Sequence, residues 1–344
     1  MNRDAFAALL AEARAFVDER LAVWLRPKTA AAAALSAEAS AAAEAAARLS
    51  LRGGKRMRAG LVAASYAACG GGDWTRASHA MLAVELLQTY LLIHDDWMDD
   101  DDVRRGGPSV HVHLRERLGS KSLGDAAAIL AGDLACGWAQ AALLESPLDP
   151  RCVLRAAQAF GRIQEEVVIG QLGEMRAIPG AAAPSVEQIH AMKTASYTVT
   201  GPLALGACLA GADDARTAEL ARYGRPLGIA FQLRDDLLGV FGDPSATGKP
   251  IWNDIRQGKR TALVAEMHDD ALLGRVLGNA AASDADLRAV VLAMETSGAR
   301  ARVEARVTAL CAEARAALEA MDLPGKDGKT WLDGAIAALG ERSA

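Results

Sequence analysis

The chain has 344 residues, of which 51% are apolar, 24% charged and only 4% aromatic, and its formal net charge is -5. That is ample material for a large buried core, and the negative balance excludes a generally basic nucleic-acid surface, which gains affinity from Lys and Arg clustered against phosphate. The five cysteines, Cys69, Cys136, Cys152, Cys208 and Cys311, are widely spaced and form no C-x-x-C pair. They suggest neither a disulfide framework nor a zinc site and fit a reducing cytoplasm, the expected location.

From the start, "MNRDAFAALLAEARAF" meets Asp4 and Glu12 too early for a secretory signal. Alanine-rich runs such as "TAAAAALSAEASAAAEAAARL" favour helix while β-branched residues are scarce, so an all-α protein is expected. Turn signals at Pro27, Gly53-Gly54, "GGGD" (70–73), "GGP" (106–108), "PLDP" (147–150), "IPGAAAP" (178–184), "GDPSATGKP" (242–250) and "LPGKDG" (323–328) divide the chain. Between them apolar residues recur at three- and four-residue spacing, as in Val84, Leu87, Leu91 and Leu92, which predicts ten to fourteen helices. The 19 residues Thr194 to Ala212 carry no formal charge, long enough to test as a membrane span. Their threonines, glycines and Gly201-Pro202 point instead to a buried helix kinked at Pro202, and no membrane span is expected. No repeat or linker marks a boundary, so one domain over 1–344 is expected.

The chemistry concentrates in "LLIHDDWMDDDDVRRGG" (91–107), with six aspartates in eight positions. If the preceding helix continues, Asp95 and Asp99 lie one turn apart on one face and aim two carboxylates into one space. Such a pair suits a hard divalent ion held against a phosphorylated substrate. A second cluster, "FQLRDD" (231–236), delivers Asp235 and Asp236 from another apolar helix and precedes "GDPSATGKP". Facing each other across a helical bundle, the two clusters could clamp a diphosphate through several metal ions. Basic elements accompany them: "GGKRMR" (Lys55, Arg58), "RRGG" (Arg104, Arg105), "MKTASY" (Lys193), Lys249 and Lys259. Arginine offers a planar fork for phosphate and lysine a mobile point charge.

The ordered set "GGKRMR", "ELLQTYLLIHDDWMD", "VRRGGPSVH", "GQLGE", "KTASY", "FQLRDD", "GDPSATGKP" and "NDIRQGKRT", from about Leu51 to Val264, resembles the trans-isoprenyl diphosphate synthases, or polyprenyl synthetases. Residues 1–50 and 266–344 would add N- and C-terminal helices to a catalytic segment, 51–265. The resemblance implies an all-helical bundle with a central cavity, a homodimer, and three Mg2+ ions with Mn2+ as a substitute. The implied reaction joins isopentenyl diphosphate head-to-tail to an allylic diphosphate, giving a geranylgeranyl or, alternatively, farnesyl product. Metal binding carries over to Asp95, Asp96 and Asp99 of the first motif and to Asp235 and Asp236 of the second. Isopentenyl diphosphate would be held by Lys55, Arg58, Gln88 and Arg105, and the allylic diphosphate by Arg104, Lys193 and Lys249. Lys193, Thr194, Gln232, Lys249 and Lys259 would act around the reacting atoms, and released pyrophosphate would remove the final proton.

Three positions depart from the family pattern. Gly239 stands where the second motif usually ends in aspartate, leaving Asp236 and Asp243 as outer partners; Trp252 occupies a position usually small; Glu174 replaces an aspartate. Product length depends on side chains just before the first motif. Helical projection favours Leu91 as the wall, about 6 Å below Asp95 on nearly the same face, over Tyr90, which projects roughly 140° away. The resemblance favours Tyr90, and a plain core tyrosine remains open. Two rivals are a terpene cyclase, for which "DDLLGVFGD" lacks an oxygen ligand at Gly239, and a non-catalytic subunit, which would usually lose an aspartate motif. "GDPSATGK" has the wrong glycine spacing for a Walker A loop.

Overall fold

A computed structural model describes residues 2–175, 184–242, 251–267 and 271–340. Its helices are α1 (Asn2–Leu35), α2 (Ala37–Leu51), α3 (Met57–Ala68), α4 (Ser78–Met98), α5 (Val110–Leu118), α6 (Lys121–Leu144), α7 (Pro150–Glu174), α8 (Val186–Ile189), α9 (Gly201–Leu209), α10 (Asp214–Phe241), α11 (Asn253–Gln257), α12 (Ala262–Ala265), α13 (Ala271–Val276), α14 (Asp284–Thr296), α15 (Ala299–Glu319) and α16 (Lys326–Gly340). A short 3-10 turn, Trp74–Ala77, leads into α4, and a π-helix, His190–Thr200, joins α8 to α9. Twelve of the described α-helices have nine residues or more, within the expected range. The only described strands are β1 (Val103–Arg104) and β2 (Gly107–Pro108), an antiparallel pair.

The elements follow from local sequence. In α1 the buried residues Phe6, Leu9, Ala13, Val17, Leu21 and Leu25 recur every three or four positions, making one apolar stripe. Ser36 separates α1 from α2 and caps the latter by accepting from the Ala39 N–H at 3.1 Å. Asp149 caps α7 in the same way, with Pro150 in the first turn where its missing N–H is harmless.

One proline expectation is corrected. Pro27 does not end a helix: α1 continues to Leu35, because Pro27 and Val23, whose carbonyl loses its partner, both face solvent. The stretch around Pro202, expected as one buried helix, changes winding within an unbroken helical run. The wide π turns end at Thr200, the Gly201 N–H donates to the Ser196 carbonyl five residues back, and Pro202 enters in the first turn of α9.

One contiguous apolar cluster draws on nearly every long helix. Its main seams are α4 along α6, α10 along α15, α3 against α9, and α1 against α16, with the π-helix wedged between α7 and α10. Among the described residues α6 alone is long and apolar enough to cross a membrane by length and composition, yet it lies along α4 with half of that stretch buried. Small residues permit the close crossings. A Cβ at Gly206 of α9 would lie 2.4 Å from the Val62 carbonyl oxygen of α3, so Gly206→Ala is expected to destabilise the protein by about 1–3 kcal/mol. The methyl's helix-propensity gain of up to ~1 kcal/mol is too small to offset this. Thermal or denaturant unfolding measures the difference.

Candidate active site

Helix α4 carries Gln88, Tyr90, Leu91, Asp95 and Asp96, and Asp99 caps it with its N–H on the Asp95 carbonyl at 2.9 Å. The helix therefore runs into the acidic cluster as the spacing predicts. Asp95 and Asp99, one turn apart, are both half-buried, while Asp96 points inward and is fully buried. The chain then reverses through the hairpin of β1 and β2, whose two turn residues, Arg105 and Gly106, have φ of 51° and 73°. A two-residue turn of this hand needs positive φ at both positions, which Gly106 adopts freely.

The hairpin is clamped onto the α2–α3 loop. Arg52 donates to the carbonyls of Arg104 (2.9 Å) and Pro108 (3.0 Å), and Arg105 donates to that of Gly53 (2.7 Å). This joins "GGKRMR" and "RRGG" into one basic surface. Arg58, 9% exposed, donates to the Thr198 hydroxyl at 2.8 Å and stacks over the Tyr197 ring at 4.4 Å. Arg56, between Lys55 and Met57, was not a predicted site residue; it is buried, donating to Asp18 (2.8 Å), Glu85 (2.9 Å) and the Ser50 carbonyl (2.8 Å). Glu85 inside the apolar run "AMLAVELLQ" was the available signal, since a buried charge demands a partner.

Each aspartate of the first motif has a cation brought from elsewhere. Asp95 lies 3.6 Å from the Lys193 ammonium and accepts from Gln171 at 3.3 Å. Lys193 also pairs with Glu174, the residue in place of an aspartate. Asp99 accepts from Lys259 at 2.7 Å, and Asp101 from Gln257 at 3.1 Å. Asp96 accepts the Arg104 Nε–H at 2.7 Å on Oδ1, whereas its buried Oδ2 has no hydrogen-bond partner. Burial raises Asp96 to about 6 against the downward pull of Arg104. Burial lowers the Lys193 and Lys259 ammonium pKa values, but the surrounding carboxylates, chiefly Asp95 and Asp99, more than reverse it.

The second motif is joined to the first through the π-helix. Thr194, next to Lys193, donates to the Gln232 carbonyl oxygen at 3.0 Å, and the Gln232 amide donates to Asp236 at 2.9 Å. Asp235 is exposed on the neighbouring position of α10. Asp236 is buried, with its second oxygen accepting the Ala262 N–H at 3.2 Å and lying 3.6 Å from His190. An ideal Cβ on Gly239 would lie 3.3 Å from Oδ2 of Asp254, so a carboxylate from α11 approaches the position where the motif lacks one. Trp252 has a left-handed φ of 69°, costly for a bulky residue, and its indole donates to the Val240 carbonyl at 3.1 Å. It therefore fastens α11 to α10 with its indole N–H on the backbone. Lys249 and Asp243 lie outside the described residues.

Two hollows meet at these side chains. A cleft of about 1010 Å3 is lined by Asp99, Glu174, Lys259 and Arg260 among others. A largely apolar cavity of about 210 Å3 includes both Tyr90 and Leu91 in its walls, with Asp95 and Lys193 at its polar end. Hence both length-determining candidates border one space. No group of three or more His, Cys, Asp or Glu side chains among the described residues gathers tightly enough to hold a metal by itself. The donors are nonetheless all hard carboxylate oxygens, one of them the unpartnered buried Oδ2 of Asp96. That set fits Mg2+, which commonly takes only one or two carboxylates and completes its shell with substrate phosphate and water.

An all-helical bundle whose two acidic motifs are interleaved with cations above an apolar hollow is the architecture of an isoprenoid diphosphate-handling enzyme. Residues 28–294 match the polyprenyl synthetase family, and the chain belongs to it, which makes it a prenyltransferase. It is 38% identical over 244 residues to a geranylgeranyl diphosphate synthase of Saccharolobus solfataricus, covering 68% of this chain and 70% of that protein. A (2E,6E)-farnesyl diphosphate synthase of Mycobacterium bovis is 35% identical over 267 residues, covering 74% of this chain and 70% of that one. The crystal structure of geranylgeranyl pyrophosphate synthase from Corynebacterium glutamicum, complexed with isoprenyl diphosphate and magnesium, superposes with a TM-score of 0.88 at 32% identity, covering 97% and 99% of the two chains.

Burial raises the Asp236 carboxyl to about 7, against the opposing pull of Gln232 and the Ala262 N–H. A carboxyl with a raised folded-state pKa binds its proton more tightly folded than unfolded, so its contribution to stability falls as pH rises from about 4 to 7. In metal-free buffer, Asp236→Asn is expected to gain on wild type across that window, by at most about 1.4 kcal/mol per pH unit. Denaturant titrations of both proteins at pH 4.5, 6 and 7.5 measure the gain; a constant difference contradicts it.

Proposed function

We propose that this chain is a divalent-metal-dependent trans-isoprenyl diphosphate synthase, a single catalytic domain that joins isopentenyl diphosphate head-to-tail to an allylic diphosphate and makes a geranylgeranyl-length product. The observation that carries this reading is the bridge through the π-helix: Lys193 reaches Asp95 on α4 while Thr194 reaches Gln232, and through it Asp236, on α10. One short segment thus addresses both acidic motifs.

In this reading Asp95, Asp96 through its free Oδ2, Asp99 and Asp235 hold the ions, with Mg2+ preferred and three sites expected, and buried Asp236 supports them from the end of α10. When bound, the divalent ions offset the negative charge that grows on departing pyrophosphate. Lys193, Lys259 and Arg104 exchange aspartate partners for phosphate oxygens of the allylic diphosphate, aided by Lys249. Fixed cations in a partly buried cleft stabilise that charge without reorganising. The allylic carbon–oxygen bond then breaks, and the Thr194 hydroxyl and Gln232 carbonyl oxygen face the cationic carbon. Isopentenyl diphosphate, held by Lys55, Arg58, Gln88 and Arg105, supplies the attacking double bond, and released pyrophosphate takes the surplus proton. The tail would enter the apolar cavity that Asp95 borders together with Tyr90 and Leu91.

Purified protein given isopentenyl diphosphate with five-, ten- or fifteen-carbon allylic diphosphates and Mg2+ is expected to yield twenty-carbon diphosphate. Chelation of the metal, Asp95→Ala or Asp235→Ala is expected to reduce condensation at least ~100-fold, the loss of roughly 3 kcal/mol of charge stabilisation. Radiolabelled isopentenyl diphosphate incorporation measures this, and unchanged turnover in both variants contradicts the site.

We infer a cytoplasmic enzyme that forms a homodimer, and exposed apolar side chains on two neighbouring helices support the dimer. Leu130 of α6 and Ile169 and Leu172 of α7 are 64%, 53% and 61% exposed, an unusual expenditure of large apolar groups unless a partner covers them. Wild type is expected to scatter light as twice the 35.9 kDa chain, and Leu130→Glu combined with Ile169→Glu as a monomer.

A further inference from the structure

The histidine preceding the first aspartate pair is not a spectator. His94 follows Tyr90 by four residues on α4, so the two share a face, and their rings meet edge-to-face with centroids 4.8 Å apart and planes at 68°. This is a favoured aromatic arrangement. Both line the apolar cavity beneath Asp95. The imidazole is itself anchored to α6: Nε2 lies 3.0 Å from the Ile129 carbonyl oxygen, and since a carbonyl only accepts, Nε2 carries the proton.

The anchorage depends on Gly132. An ideal Cβ there would lie 2.2 Å from Nε2 and 2.3 Å from Cδ2 of His94, closer than any non-bonded contact. The glycine is thus a seat for the imidazole, one turn along α6 from the carbonyl that fixes it. Asp133 lies beside the same nitrogen, 3.7 Å away. Tyr90, itself near Cys136 and Asp133 of α6, is braced further through a ring that α6 both receives and hydrogen-bonds.

We propose that His94, seated on Gly132, is a positioning residue that fixes Tyr90 as the stop for the growing isoprenoid tail, so that α6 sets product length through a side chain that need not touch the product. This rests on the reading of the site as a prenyl diphosphate synthase. Removing the imidazole leaves the tyrosine ring free to swing off the axis of the cavity, and a methyl at Gly132 unseats the imidazole to the same effect. In both cases the tail passes a stop that is chemically unaltered.

The test uses the full-length protein with Mg2+, farnesyl diphosphate and radiolabelled isopentenyl diphosphate, with products sized after dephosphorylation. His94→Ala and Gly132→Ala are each expected to raise the fraction of products longer than twenty carbons at least threefold, with total incorporation within threefold of wild type. Tyr90→Ala is expected to do the same, and Tyr90→Ala with His94→Ala to add nothing further, because both act on one stop. A structural defect would instead lower incorporation without lengthening products. Wild-type lengths in both His94→Ala and Gly132→Ala, or a double variant whose lengthening is the sum of the singles, would overturn the proposal. Failure of wild type to incorporate isopentenyl diphosphate at all would overturn the underlying reading instead.

Discussion

The structure turns on pairing carboxylates with cations that arrive from distant parts of the chain. Asp95, Asp96 and Asp99 sit within five positions on one helix end, where like charges repel; Lys193, Arg104 and Lys259 relieve that repulsion from the π-helix, the hairpin and the loop after α11. Each such contact is worth most where water is partly excluded, and Asp95, Asp99, Arg104, Lys193 and Lys259 are all half-buried. The same pairs join segments far apart in sequence, so the fold of the region and the readiness of its charges have one origin. A ligand bringing phosphate and metal together offers every member of the set a new partner of the right sign.

The rest of the bundle makes that arrangement rigid. A close seam at Gly206 brings two helix backbones within reach of one another and Gly132 admits the His94 imidazole, and the buried Arg56–Glu85 pair fixes the segment that presents Lys55 and Arg58. An unpaired charge at either place would be costly, so Arg56 holds the neighbouring basic residues in place without being available itself. Arg52 does the same for the hairpin from outside.

Much of this was legible in the sequence, for identifiable reasons. The period of the apolar residues and the i, i+4 spacing of Asp95 and Asp99 are local, and α4 carries both into the cluster unchanged. Pro27 misled because the penalty for proline in a helix depends on whether the carbonyl it frees can reach water, which is a matter of burial. The Arg56–Asp18–Glu85 group and the Gly132–His94 seat are long-range contacts whose partners no spacing rule connects. Trp252 read as an oddity and remains one in conformation, although its indole hydrogen bond to Val240 accounts for how it is kept. The π-helix, His190–Thr200, had no signal in the spacing of the apolar residues.

That winding limits how the gene can change. Single-residue insertions and deletions are usually absorbed at helix ends, but His190–Thr200 already holds an expanded register between two ordinary helices, and such stretches persist only where their surroundings enforce them. Losing one residue there would let the segment relax to the commoner winding and change the angle at which Lys193 and Thr194 stand relative to α9. The lysine would leave Asp95 and the threonine would leave Gln232 together. Length variation among descendants of this sequence should therefore collect in the loops and spare these eleven positions.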